Sequence, residues 1–279
     1  MLAREDIFLT TKLWNDKHDY DFAKASIDES LERLGVDYLD LLLIHWPNPK
    51  ALRENDAWKA GNAGAWKAME EAYKDGKVRA IGVSNFMQHH LEALLETAEI
   101  VPHVNQILLA PGCAQEDLVA YCQERDILLE AYSPLGTGSI FGNEEVEAVA
   151  ERNGKSVAQV ALRWSLQKGF LPLPKSVTPK NIEANLDIFD FDLSEEDMAV
   201  LDKIQGIKLR MTLTQLIFDR VEATREGCFL LVSFDLLLKL SFFLFIDGSY
   251  VMESRNLLPQ NTRTSLSIIK HSACDWYMR

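Results

Sequence analysis

The run LPKSVTPKN, residues 173 to 181, places Lys175, Ser176 and Thr178 directly after an apolar stretch and directly before a proline suited to the first turn of a helix. Such a turn can hold a phosphate. Free N–H groups and the dipole at a helix start attract an anion, an ammonium adds charge, and hydroxyls add directed hydrogen bonds. The plainer alternative is a loop with a helix cap. Other chemistry is weakly signalled. His89 and His90 are adjacent but lack a third ligand at convincing spacing, so no metal site is expected and a solvated helix start is the better reading. Cys113, Cys122, Cys228 and Cys274 form no C-x-x-C pair, and the N-terminus carries no apolar leader, which reads as reduced thiols in a cytoplasmic protein.

Elements must position that turn. Short β-branched or leucine-rich runs at Ile7–Leu13, Tyr38–His45, Ala80–Val83, His103–Leu108, Ile127–Tyr132 and Phe170–Pro174 are candidate strands. Between them lie amphipathic stretches, such as Phe22, Ile27, Leu31 and Leu34, or Leu91, Leu94 and Leu95, which read as helices packed on a sheet. Strand and helix in alternation predict a parallel α/β sheet with functional groups at the carboxyl ends of its strands. A doubly wound sheet and most of an eight-stranded β/α barrel both fit. No G-x-G-x-x-G follows the first strand, whereas an anion turn follows the last, and this favours the barrel.

Six ordered segments then carry a resemblance: FLTTKLWN (8–15), LLLIHWPNP (41–49), AIGVSNF (80–86), VNQI (104–107), AYSPLG (131–136) and LPKSVTPKNIEANLDIFDF (173–191). Together they resemble the aldo-keto reductase family over about residues 4 to 206. The resemblance implies an incomplete (β/α)8 TIM-type barrel lacking the first two strands, NADP(H) as cofactor, and a small carbonyl or alcohol as substrate. It makes Lys12 and His45 the catalytic candidates. Both would point into the barrel mouth, where charge developing on an oxygen needs donors. Taken singly, Lys12 reads better as a surface lysine and His45 as a core histidine; together, at consecutive strand ends and with the other four segments in order, they favour the catalytic reading.

The same resemblance assigns Ser84, Asn85 and Gln106 to the nicotinamide carboxamide, Tyr132 to stacking on its ring, and Ser133, Leu135 and Gly136 to the pyrophosphate. Lys175, Ser176 and Thr178 would hold the adenosine 2′-phosphate, Asn185 the adenine, and Trp14 and Trp46 would wall the substrate. The family usually has Arg where Asn181 stands and often Glu where Ala184 stands, which weakens the expected preference for NADP over NAD. Leu108 to Gly112 replace its usual acidic or aromatic residues. The family's Asp and Tyr precede the Lys strand, and this sequence begins only eleven residues before Lys12, so half the catalytic set and an impaired reductase are expected. A noncatalytic NADPH-binding module is the alternative. Tyr20 reads as a helix-start aromatic, not a substitute.

Charge divides the chain near Gly206. Residues through Gly206 hold 20 basic and 35 acidic side chains, whereas the remainder holds 9 and 7, so residues 1–206 and 207–279 are expected to be separate units. The acidic excess argues against nucleic acid. Cys228 to Ile246 contains fifteen apolar residues in nineteen, but central Asp235 and Lys239 bring the balance for membrane insertion near neutral, and a span is not favoured.

Overall fold

Local signals set most element ends. The computed structural model describes residues 3–205 and two further strands, Ser241–Ile246 and Ser249–Ser254. The strands of the main unit are β1 (Thr10–Leu13), β2 (Leu41–Ile44), β3 (Ile81–Ser84), β4 (Val104–Leu108), β5 (Leu128–Tyr132) and β6 (Leu171–Leu173). The helices are α1 (Tyr20–Leu34), α2 (Ala57–Lys74), α3 (Gln88–Leu95), α4 (Glu116–Gln123), α5 (Glu144–Asn153), α6 (Val157–Gln167), α7 (Pro179–Leu186) and α8 (Glu195–Lys203). Asp19 starts α1 by accepting from the Phe22 N–H at 2.8 Å, and Gly35 ends it in the left-handed region at φ 63°. Ser156 and Gln159 cap the start of α6 reciprocally.

All six strands expected from the sequence form, and they pair in chain order, β1 to β6, every neighbour parallel. The leucine run of β2 shows how the sheet is packed. Leu42 and Ile44 join the large core between sheet and helices, with Ile27, Trp66, Met69, Leu91 and Trp164. Leu41 and Leu43, alternating with them, pack with Ala80, Val104 and Phe8 on the opposite face. Gly82 lies between β2 and β4 on that second face, where a Cβ would sit 2.5 Å from the Val104 carbonyl oxygen and 2.8 Å from Leu43 Cδ2. Close strand packing there depends on a missing side chain.

Three expectations need correcting or bounding. Phe22 is 57% exposed, and Ala23 takes the buried place on α1. The five-residue step from 22 to 27 turns Phe22 about 140° from Ile27, off the core-facing stripe. His90 is buried, not solvated: its ring meets Trp58 and Phe86 edge-on, and its Nδ1 accepts from the Met87 N–H at 3.1 Å, while His89 alone is exposed. Of the apolar stretch Cys228–Ile246, only Ser241–Ile246 is described. Its backbone is extended and pairs antiparallel with Ser249–Ser254, so these residues are not helical. The boundary at Gly206 and the rest of that stretch lie outside the described residues. Among the described residues no helix is long and apolar enough to cross a membrane.

Candidate active site

Alternation along neighbouring strands gathers the expected residues on one face. Lys12 pairs in register with Leu43, which pairs with Gly82, and His45 and Ser84 follow these by two positions. Ser84 pairs with Gln106, and Gln106 with Glu130, two residues before Tyr132. Side chains two apart share a face, so Lys12, His45, Ser84, Gln106, Glu130 and Tyr132 all point to the side of the Leu41–Leu43 cluster, at or near the carboxyl ends of their strands.

With Asn85, hydrogen bonds tie five of them together. The Tyr132 hydroxyl donates to Asn85 Oδ1 at 2.8 Å, and Asn85 Nδ2 donates to the His45 carbonyl at 2.9 Å and to Ser84 Oγ at 3.1 Å. Ser84 Oγ donates to the Gln106 carbonyl at 2.9 Å, and the Gln106 amide donates from Nε2 to Glu130 Oε2 at 2.7 Å. Asn85 has φ 62° and Ser133 φ 50°, both in the left-handed region that side-chain-bearing residues seldom adopt. Gly136, at φ 57°, closes the turn by donating its N–H to the Ser133 carbonyl at 2.8 Å, a conformation that suits glycine. Leu135, half-buried, packs on the main core.

The aromatic candidates surround His45. The Trp14 ring lies 4.7 Å from the His45 ring and the Trp46 ring 6.2 Å from it. His45 as a whole is half-buried, but its Nδ1 atom is sealed from solvent and has no hydrogen-bond partner among the described residues. Burial, then the charge of Lys12, then His18, push its pKa down to about 3, so the ring is neutral at physiological pH. Burial pushes the Tyr132 hydroxyl up, and its proton is engaged by Asn85, so at neutral pH it is a poor proton donor. Tyr20 begins α1 and donates to Glu71 at 2.7 Å, in keeping with a helix-start role.

The anion turn lies next in sequence to β6. Because Tyr132 pairs with Leu173, residues 174–178 leave the sheet beside the Ser133–Gly136 turn. Lys175 and Thr178 are exposed and Ser176 half-buried; the Thr178 N–H donates to Ser176 Oγ at 3.2 Å. Pro179 opens α7, and no side chain caps its start. Asn185 is buried on α7. In place of the family's usual residues after β4, Ala110 and Cys113 form an antiparallel bridge, and the Gly112 N–H donates to the Leu201 carbonyl at 2.9 Å, fastening this loop to α8.

Two site residues escaped the sequence reading. Glu130 is 3% exposed, and its pKa is raised to about 6 by burial, opposed by the Gln106 hydrogen bond and the Lys12 charge. A lone glutamate inside an apolar strand was the available signal. His18 is buried, with Nδ1 3.0 Å from Asn62 Oδ1, and Asn62 in turn donates to the Pro47 carbonyl at 2.9 Å, joining the loops after β1 and β2. Nothing in its spacing marked it.

Burial lowers His18 to about 4 and His90 to about 3. The unfolded chain therefore takes up protons near pH 6.5, before the folded one does, so this stability is complete above 6.5 and lost as pH falls toward 4. Each pH unit in that window costs about 1.4 kcal/mol per such group. Melting temperature should fall steadily between pH 7 and pH 4.5, and less steeply in His18→Asn or His90→Gln. Equal slopes in all three proteins would show that these imidazoles do not govern acid stability.

Known proteins share the sequence pattern and the fold of residues 3–205. A model of the aldo/keto reductase family matches residues 1–205. Glyoxal reductase from Bacillus subtilis (strain 168) is 49% identical over 203 residues, spanning 73% of this chain and 70% of that protein. An aldo/keto reductase from Brucella melitensis superposes with a TM-score of 0.67 at 42% identity, over 72% of this chain and 75% of that one. A Bombyx mori aldo-keto reductase, solved in complex with NADP, superposes with a TM-score of 0.65 at 36% identity, over 74% of this chain and 71% of that one.

Proposed function

The chain belongs to the aldo/keto reductase family, and from that membership we propose that it is an NADP(H)-dependent oxidoreductase reducing aldehydes or ketones to alcohols. The observation that carries the reading is the hydrogen-bonded series Tyr132–Asn85–Ser84–Gln106 at the strand ends, flanked by Lys12 and His45 on the same face. We take the six parallel strands as the last six of an eight-stranded barrel, and residues 1–206 as its portion of the chain, distinct from 207–279.

The residues present fit the cofactor. Polar groups at two neighbouring strands, Ser84 and Asn85 at the end of β3 and Gln106 on β4, suit a carboxamide, the left-handed Ser133 and Gly136 bring backbone close to a pyrophosphate, and the uncapped start of α7 with Lys175, Ser176 and Thr178 suits a 2′-phosphate. Asn185 lies nearly two turns further along α7, toward the adenine. When bound, the reduced nicotinamide supplies a hydride to the carbonyl carbon. Tyr132 offers its ring as the stacking face. His45, neutral, orients the carbonyl oxygen through a ring N–H, and the Lys12 ammonium stabilises charge that develops on that oxygen. Trp14 and Trp46 form the apolar wall that excludes water from it.

By the family pattern a Tyr and an Asp complete this set, and residues 1–11 hold no tyrosine. Slow turnover with intact cofactor binding is therefore the expected behaviour of residues 1–279. A noncatalytic NADPH-binding module is the second reading, favoured by a cofactor side tied together by hydrogen bonds while the proton donor is in question. One sample distinguishes them: NADPH is titrated by fluorescence, and a reactive aldehyde is then added. Binding with slow NADPH oxidation supports a reductase, binding without oxidation supports the module, and no binding removes both. Lys175→Ala should weaken NADPH by about ten- to a hundredfold and NADH far less, since a charge-assisted phosphate contact is lost.

A further inference from the structure

Glu130 occupies the β5 position paired with Gln106 on β4 and with Leu171 on β6. Its Oε2 accepts from Gln106 Nε2 at 2.7 Å, and the Lys12 ammonium on β1 acts on it electrostatically; Leu171 brings no charge. A buried carboxylate is costly to keep, and an apolar residue would suit an interior strand position better, so its presence calls for a role in the site. An ionised carboxylate only accepts hydrogen bonds. It therefore turns the NH2 end of the Gln106 amide toward β5 and leaves Oε1 as the end that Gln106 can offer elsewhere. The Gln106 main chain is held as well, because its carbonyl accepts from Ser84 Oγ at 2.9 Å and from the Asn85 N–H at 3.0 Å.

We propose that Glu130 is a positioning residue: by holding Gln106 Nε2 it presents Gln106 Oε1 as an acceptor for the carboxamide NH2 of a nicotinamide dinucleotide. This rests on the NADP(H) reading above and adds the group that selects which amide end faces the ligand. Burial raises the Glu130 pKa to about 6. Once protonated, Glu130 can donate to Gln106 Oε1, and the amide is free to reverse.

The test measures dissociation constants by calorimetry for NADP+, for its 3-acetylpyridine analogue, which has no N–H to give, and for adenosine 2′,5′-bisphosphate, which lacks the nicotinamide half and so cannot reach Gln106. The native protein should bind NADP+ about tenfold more tightly than the analogue, the value of one lost hydrogen bond. That ratio should shrink as pH falls from 7.5 to 5.5. In Glu130→Gln it should be close to one and independent of pH, with bisphosphate affinity unchanged. Should that variant fail to fold, Gln106→Leu must abolish the ratio in its place. Bisphosphate binding with a ratio that Glu130→Gln leaves intact, or that persists in Gln106→Leu, overturns the role of Glu130 alone. Failure of the native protein to bind either NADP+ or the bisphosphate overturns the NADP(H) reading and this inference with it.

Discussion

Lys12→Met should slow aldehyde reduction by about a hundred- to a thousandfold, the usual effect of removing one preorganised donor from a site of developing negative charge. The measurement is single-turnover NADPH oxidation with enzyme in excess, which reads the chemical step directly. NADPH affinity should change only a few-fold, because the residues assigned to the cofactor lie at or just after β3, β4 and β5, in the turn after β6 and on α7, while Lys12 lies on β1. The substitution also removes the cation that offsets Glu130, so that carboxyl should titrate at still higher pH. A Lys12→Met protein with undiminished single-turnover rate would reduce Lys12 to an ordinary strand-end lysine. His45→Ala tests the partner group by the same assay and should lower the rate without shifting its pH dependence above 5, since His45 is already neutral there.

Gly82→Ala should be the most damaging small substitution in the sheet. The added methyl would meet the Val104 carbonyl oxygen at 2.5 Å and Leu43 Cδ2 at 2.8 Å. The leucine tip can yield, but the carbonyl belongs to β4, and moving it strains the ladder that sets Ser84 opposite Gln106. Overpacking of this kind costs about 1–3 kcal/mol, which for a unit of this size lowers the melting temperature by several degrees. Gly82→Val should exceed that and leave little folded protein. Thermal melts read the stability, and NADP+ titration reads whether the strand-end groups keep their register. Native melting in Gly82→Val would mean that β3 and β4 can separate without cost, against the packing described above.

Much was legible from residue order. Each of the six apolar runs became a strand, because β-branched and leucine-rich segments of that length, bounded by turn residues, have few other ways to bury themselves. The KSVTP run opened a helix where its proline indicated. Errors arose where a residue's neighbours come from elsewhere in the chain. Phe22 looked like part of an apolar stripe until helix rotation placed it outside, and His90 looked solvated until Trp58 on α2 and Phe86 closed over it. His18 became a site neighbour only because Asn62, on α2, folds back against it.

The residue series alone determined the alternation of strand and helix, the anion turn, and the ordered motifs that place the chain in its family, since these depend on local propensity and spacing within a few residues. Which atoms meet was settled only by the folded sheet. Parallel pairing brought positions 12, 45, 84, 106, 130 and 132 onto one face from segments far apart in the chain, and it turned Glu130 from an odd strand residue into the partner of Gln106. The physical reason is that the charge state and hydrogen-bond partner of a buried group depend on the strands beside it, and no window of sequence contains those.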